Sequence, residues 1–593
     1  MLFGQGSRFL AVLVATCVPS VSKGLIVTRY PIKACTTPGS SSRFKSNSRL
    51  SAVGIRSEAS TGKKGSPISE EKFNWQKAWY PVLSEADSDP KRAHAVQLLG
   101  KDLVVWRNSE GRWATFDDRC PHRAAPLTEG RVEKDGSLLC SYHAWRFDAD
   151  GKCLSIPQSD RGGKDEANPK ACAMAYPTQV AQDIVWVWGE NGPDAALESL
   201  LSQPPLVSAL EDEEGIKEGR VVRGALMQRD LTYSWEAFLE NALDPAHVVV
   251  SHHGVMGKRS MAKPLSLEAT PTPALTKDGF SFDNNSPQFG AKQGVTTFYP
   301  PSTVEIVTER ADGVIVTLIQ YNIPTKPGWS RLISRQMTTA PKSVEKGGER
   351  DGDVSDADKD LGGTVPTTKK KKKAPSLLKM ATRISPVKLK LSPMEQRRWI
   401  QHVMFHIFVA QDLPLLHHQE KILAGAGHTG SKWSAGMFTP TKSDQGVLTL
   451  HQWIAKFGSG GPPWAVGCNT SLPPREHNQD IVFDIYQTHT KDCTACLGAL
   501  KRVEQCIVGA KVSTVLSLAW AVLNAAVAVG TSAAVSMAPG APVAPRLSLA
   551  NPVLVKSLLP GVLVGLLGLW ATKKLGSLRN MFHVFKYVHQ DHD

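Results

Sequence analysis

Two Cys/His pairs constrain this chain more than any other feature. The stretch CPHRAAPLTEGRVEKDGSLLCSYHAW holds Cys120-x-His122 and, after a gap of 17 residues, Cys140-x-x-His143. Two thiols and two imidazoles at such spacing are metal ligands by type. Gathering them on one centre forces two loops, separate in sequence, to a single point.

A structural zinc site uses the same residue types. The order Cys-x-His … Cys-x-x-His is instead the pattern of a Rieske [2Fe–2S] centre, with two thiolates on one iron and two imidazoles on the other. Cys120 and Cys140 are then expected on one iron and His122 and His143 on the other. Neutral imidazoles in place of thiolates make the cluster less negative, which raises its potential and lets it accept an electron from a low-potential donor. Ala144 stands where such loops usually carry glycine, and alanine does not easily take a positive φ.

The surrounding residues, 75–190, read as short strands: HAVQLLGKDLVVWRNSEGRWATFDD and VAQDIVWVWGENG are apolar runs broken by Gly and Asn-Ser turns. An all-β unit over 75–200 is expected, and QPPLVSALEDEEG (203–215) reads as a linker. Beyond it, YSWEAFLENALDPAHVVVSHHG has helical spacing, STVEIVTERADGVIVTLIQYNIPT reads as a hairpin turning at Asp312-Gly313, and MEQRRWIQHVMFHIFVAQDLPLLHHQEKIL as one long helix or two. The result is an α+β unit over 215–500, interrupted at 342–378 by a charged segment without aromatic residues that reads as a disordered insertion.

A Rieske cluster only moves electrons, and this second unit suggests their destination. Asn241, Asp244, His247 and His252 follow one another as N-x-x-D-x-x-H-x4-H. Asp244-Pro245 makes a good helix start, so Asp244 has a plain reading as a cap. His247 and His252 are separated by about 140° on an ideal helix, so they share a metal only if the helix distorts or ends between them. Two such imidazoles with one distant carboxylate make the facial triad of a mononuclear Fe(II) oxygenase, with positions left open for O₂ and substrate. His253 competes as a ligand. Asp412 is the favoured carboxylate, with Glu420 and Asp484 as alternatives.

The formal charge of +14 raises the prospect of a nucleic-acid partner, but its location argues against one. Eight Lys/Arg without an acid fall in residues 1–57, and five lysines run from Lys369 to Lys373, leaving a nearly neutral body. Residues 1–65 have the Ser/Arg-rich composition of an organelle presequence, and FLAVLVATCVPS inside them can make it bipartite. Ten cysteines are too few for a disulfide framework. At the other end, Val512 to Ala538 is uncharged and Ser557 to Thr572 is a second apolar run. Two membrane helices over 510–575 are expected, with a tail at 576–593. Lys501, Arg502 and Lys511 before the first, and Lys573, Lys574 and Arg579 after the second, place both ends and the catalytic body on one face. Cys493 and Cys496 form a CxxC just before the first span; in a reducing compartment they are expected to be a redox-switchable dithiol open to thioredoxin.

Together the two iron motifs resemble the Rieske non-haem iron oxygenases over about residues 75–500. HTKDCTAC (His489 to Cys496) ahead of two spans is similar to the plastid branch of pheophorbide a oxygenase, which includes oxygenases of protochlorophyllide a and of phyllobilins. The resemblance implies a helix-grip catalytic domain, reduced ferredoxin as donor and O₂ as oxidant. It implies passage of the electron from His122 or His143 to Asp244 across the subunit boundary of a head-to-tail homotrimer. A chlorophyll-derived tetrapyrrole is the implied substrate, and a thylakoid or inner-envelope membrane of the chloroplast, with the catalytic body in the stroma, the implied site. A membrane-bound redox or translocon component that uses only its cluster is the expectation from a different class.

Overall fold

Strands bearing tryptophan at both ends of the N-terminal unit close on each other. In the computed structural model, which describes residues 71–269, 275–284, 291–341, 397–536, 552–587 and 589, strand β1 (Trp79–Ser84) pairs antiparallel with β11 (Ile184–Trp188), and β10 (Thr178–Ala181) flanks β11. The expected presequence and the expected insertion at 342–378 lie outside the described residues. Every residue of β1 and β11 is buried, so this pair has no solvent face. A second sheet, β2 (His94–Leu98), β3 (Lys101–Arg107), β4 (Trp113–Asp117) and β9 (Ala175–Tyr176), stacks beside it. The third, β5 (Arg131–Val132), β6 (Leu138–Leu139), β7 (Arg146–Phe147) and β8 (Cys153–Ser155), consists of very short strands that hold the two Cys/His loops.

The following unit is built on an eight-stranded antiparallel sheet. Its order is β12 (Val221–Arg223), β19 (Trp329–Thr339), β18 (Ile315–Lys326), β17 (Thr303–Arg310), β16 (Ala291–Tyr299), β15 (Phe280–Asn284) and β14 (Leu267–Ala269), with β13 (Met227–Leu231) also on β19. The turn between β17 and β18 falls at Asp312 and Gly313, where Gly313 takes φ 76°. One face carries helix α1 (Trp235–Ala242), the single-turn α2 (Val248–Ser251), α3 (Arg398–Gly425) and α4 (Gln445–Lys456). Val409, Ala410, Leu413 and Leu416 of α3 share one core with Tyr321, Ile323 and Leu332 of the sheet and with Tyr80, Val82 and Trp186 of the N-terminal unit. The two units are tied by polar contacts as well. Arg331 is 8% exposed and bonds both oxygens of Asp230 at 2.6 and 2.9 Å and the Val82 carbonyl at 2.9 Å.

Helix α3 is a single helix of 28 residues, and Pro414 inside it removes one backbone donor two residues beyond Asp412. The 203–215 stretch is not bare linker. Asp212 accepts from the Gly215 N–H at 2.8 Å and so caps a short helix, Glu213–Lys217.

Two long helices end the chain, α5 (Thr494–Ser536) and α6 (Pro552–Asn580). At 43 residues α5 is roughly 65 Å long, about twice a hydrocarbon core. Its first turns belong to the body: Cys496, Ala499, Leu500 and Val503 are buried with Val403 and Ile407 of α3 and with Leu575, Leu578 and Phe582. Beyond them the helix exposes Val515, Leu516, Val522 and Leu523 by more than half their surface. Both helices are long and apolar enough to cross a membrane. They run antiparallel and very close, because Gly561, Gly565 and Gly568 face α5: a Cβ on Gly561 would lie 2.7 Å from Ala521 Cβ, and one on Gly568 would lie 2.1 Å from Thr514 Oγ1. Gly568→Val is therefore expected to wedge the helices apart and cost about 1–3 kcal/mol, read as a lowered Tm in detergent with the Rieske spectrum unchanged.

Candidate metal centres

The two Cys/His loops have the same backbone design. The Cys120 N–H bonds to Ala125 O at 2.8 Å and Ala124 N–H to Cys120 O at 2.9 Å; the Cys140 N–H bonds to Trp145 O at 2.8 Å and Ala144 N–H to Cys140 O at 2.9 Å. Each loop turns through an alanine in the left-handed region, Ala124 at φ 57° and Ala144 at φ 59°. Ala144 thus adopts the conformation that alanine resists, at a cost of about 1–2 kcal/mol. Both sulfurs are buried, at 2% and 1% residue exposure, and burial, together with the neighbouring Cys140, pushes the Cys120 thiol up to about 11. The imidazoles are half-buried, 4.5 Å apart between centroids, and Trp145 stacks on His122 at 4.7 Å. His122 Nδ1 is buried with no hydrogen-bond partner among the described residues. Inward thiols and an unsatisfied inward imidazole nitrogen fit a [2Fe–2S] cluster, with the histidine edge toward the surface.

The second site forms where a helix ends. α2 is only Val248–Ser251; His247 precedes it and His252 closes it at φ −95°, ψ 33°, and the imidazoles at the two ends of this single turn converge on one point. Asp412 of α3 reaches both: its Oδ2 lies 3.0 Å from His252 Nε2 and 3.8 Å from His247 Nε2. The three ligand atoms lie within 4.8 Å of one another. His252 is fully buried, and its Nδ1 lies 2.9 Å from Gln411 Oε1, an acceptor, so Nδ1 carries the proton. Its Nε2 then points a lone pair at a carboxylate oxygen, two acceptors that a bound metal ion or an added proton between them reconciles. Ser251 donates to the other Asp412 oxygen, and Phe408 stacks on His252 at 3.9 Å. Burial opposes the Asp412 charge, but His252, His247 and Ser251 outweigh it and hold the carboxyl below its ordinary range. These residues fit a two-histidine, one-carboxylate iron site with open positions.

Asp244 is more than a cap. Its Oδ1 accepts the Ala246 N–H at 2.7 Å, the local cap bond, while Oδ2 lies 3.5 Å from His247 Nδ1. The carboxylate thus stands behind a ligand imidazole, where it can orient it. The competing residues lie elsewhere. His253 Nδ1 accepts from Arg259 N–H, Glu420 accepts from Ser234 N–H and pairs with Lys421, and Asp484 accepts from Gln487 N–H.

A third cluster holds Cys493, Cys496 and His489, all candidates from the sequence, and one member that sequence reasoning missed, His402. Cys493 and Cys496 are buried together with His402 and His489. Hydrogen bonding from Cys496 and the two imidazoles hold the Cys493 thiol well below its ordinary value. His402 gave a faint signal, as one of two histidines four apart (His402, His406) in an apolar helix.

The architecture and its two iron-type sites define a class, the Rieske non-haem iron oxygenases. Comparison with known proteins agrees: a Rieske [2Fe-2S] domain matches residues 78–177 and a pheophorbide a oxygenase domain residues 298–429. The chain is 31% identical over 499 residues to the chloroplastic pheophorbide a oxygenase of Arabidopsis thaliana, covering 80% of this chain and 83% of that one. It is 30% identical over 474 residues to the chloroplastic flavonoid 8-hydroxylase 2 of Ocimum basilicum, covering 76% and 79%. It is 29% identical over 474 residues to the chloroplastic protochlorophyllide-dependent translocon component 52 of Arabidopsis thaliana, covering 73% and 74%. The chain belongs to the pheophorbide a oxygenase branch of the Rieske oxygenases, and its cofactors are a [2Fe–2S] cluster and a mononuclear iron.

Two substitutions probe these sites. Ala144→Gly relieves the left-handed strain, and after the entropy cost of glycine is expected to stabilise by about 0.5–1 kcal/mol, raising Tm with an unchanged Rieske EPR signal. Asp412→Ala is expected to lose most mononuclear iron while the cluster stays, measured as iron per chain together with the EPR amplitude.

Proposed function

We propose that this chain is a ferredoxin-dependent monooxygenase of chlorophyll-derived tetrapyrroles, with pheophorbide a as the first candidate, anchored in a chloroplast membrane with its catalytic body in the stroma. The observation that carries the substrate class is the attachment of the two membrane-competent helices. The start of α5 and the end of α6 both pack on α3, the helix that holds Asp412. After α6 the chain returns to the same helix, where His589 Nε2 lies 2.8 Å from the Gln411 carbonyl. An iron site so tied to a membrane hairpin suits a large, flat, apolar substrate that partitions into lipid.

In this reading His247, His252 and Asp412 hold the mononuclear iron, and Cys120, Cys140, His122 and His143 hold the cluster. When bound, these groups supply electron transfer and O₂ activation. The protein's part is positional. Gln411 fixes the tautomer of His252, Ser251 holds Asp412, and Asp244 sets the ring of His247. The exposed histidine edge of the Rieske loops, beside Tyr142 at 62% exposure, is the face for an electron partner. That partner is ferredoxin on entry and Asp244 of a neighbouring chain on exit, in a head-to-tail homotrimer.

A flat phenolic substrate is the second reading, favoured by the similarity to the basil flavonoid hydroxylase. A role that uses only the cluster is the third. Incubating the full chain with reduced ferredoxin, oxygen-18 gas and a panel of pheophorbide a, protochlorophyllide a, a phyllobilin and a flavone decides among them. The expected result is label in a tetrapyrrole product, with product from Asp244→Ala lower by about a hundredfold while both metals stay bound. Label in the flavone alone, or no product from a fully metal-loaded chain, overturns the proposal.

A further inference from the structure

Cys493 lies just before α5 and Cys496 in its first turn, with 4% and 0% of their surfaces exposed. His402 comes from α3, and its Nδ1 lies 3.4 Å from both sulfurs. His489 comes from the wide helical turn Tyr486–Thr490 and puts its Nε2 3.3 Å from Cys496 Sγ. The four ligand atoms lie within 4.8 Å of one another, and all four residues are buried. A tetrahedron with Zn–S of about 2.3 Å and Zn–N of about 2.0–2.1 Å has S···N edges of roughly 3.5 Å, close to these separations.

What stands behind the imidazoles carries the argument further. His489 Nδ1 lies 2.6 Å from the Gln228 carbonyl, which only accepts, so Nδ1 bears the proton and the Nε2 lone pair faces the sulfurs. On the other side, His402 Nε2 faces Asp87 Oδ2 at 3.7 Å, and Asp87 is itself held by Arg398 at 3.0 Å and Ser84 at 3.1 Å. A backbone carbonyl on one ligand histidine and a carboxylate on the other are the usual outer partners of metal-bound imidazoles. Two thiolates balance a dication, so the filled site is neutral in its buried setting. A dithiol that exchanges with a protein reductant needs one sulfur within reach of solvent, and neither has that here.

We propose that His402, His489, Cys493 and Cys496 form a closed, structural Zn²⁺ site that pins the start of the membrane hairpin to α3. Four protein ligands leave no open position, so the ion takes no part in the oxygen chemistry. Its role is to join two segments distant in sequence, α3 with His402 and the stretch His489–Cys496. His402 stands ten residues before Asp412 on one helix, about 15 Å along it, so the same helix links this clamp to the iron site.

The test is metal analysis of the full chain purified in detergent without chelators. About one zinc per chain is expected beside the cluster irons and the mononuclear iron. Both thiols should resist iodoacetamide until a chelator removes the zinc, and cobalt grown in its place should show a thiolate charge-transfer band with tetrahedral d–d bands. His489→Ala should lower zinc at least tenfold with the Rieske EPR signal retained, and His489→Cys should restore zinc, which a mere hydrogen-bonding role would not. Should His489→Ala fail to accumulate, the wild-type metal content and cobalt spectrum still decide. Less than a tenth of a zinc per chain with both thiols alkylated in the folded protein overturns the site, and a Cys493–Cys496 disulfide formed on oxidation would then make the pair a redox-active dithiol. Iron in place of zinc after growth with both metals overturns the assignment of the ion.

Discussion

Inside the catalytic unit the Nε2 of His252 and a carboxylate oxygen of Asp412 face each other at 3.0 Å. Gln411 holds the imidazole in the tautomer that makes both atoms acceptors. Such a contact is unfavourable on its own in a buried setting and becomes favourable around a cation. The surrounding structure is arranged to keep it: a single helical turn that starts at His247 and ends at His252, a serine on the far carboxylate oxygen, an aromatic ring against His252, and Asp244 behind His247. Three ligand-type side chains that meet at one point are what a mononuclear iron needs, the requirement of an oxygenase rather than of an electron carrier.

Helix α3 connects that site to the rest of the molecule. Val409, Ala410, Leu413 and Leu416 bury it in the core shared with the Rieske unit, and Val403 and Ile407 bury it against the base of the hairpin. His402 and Asp412 place it in two separate clusters of metal-type ligands. The close packing of α5 on α6 at Gly561 and Gly568 makes the hairpin one stiff body rather than two tethered helices. Substrate delivery, in this account, is a matter of where the membrane meets α3.

Much of this was legible in the sequence because it is local. The candidate Rieske ligands fall in two short loops, and residue type with order names them without any tertiary information. The facial pair His247 and His252 was legible as a motif, but its geometry was not, since a helical turn that stops at His252 depends on tertiary packing. Asp412 was favoured over Glu420 and Asp484 from its helical, aromatic-rich setting, and the fold brings it to His247 and His252 while Glu420 caps toward Ser234 and Asp484 joins the turn before Gln487. Ala144 was readable as a departure from glycine, yet its φ of 59° shows that the loop tolerates the strain. The CxxC pair is the clearest case of missing information. His489 lies only four residues before Cys493, but His402 comes from a segment more than ninety residues away, and no periodicity carries a contact of that separation.

Mössbauer spectroscopy of the iron-57-enriched full chain, reduced under argon, tests the central claim most directly. The account predicts cluster and mononuclear iron in a two-to-one ratio, with the single iron high-spin, nitrogen- and oxygen-ligated, and its doublet altered when a tetrapyrrole is added. A spectrum containing only the two cluster irons, after reconstitution with ferrous iron, would contradict the assignment of His247, His252 and Asp412 and leave the chain an electron carrier.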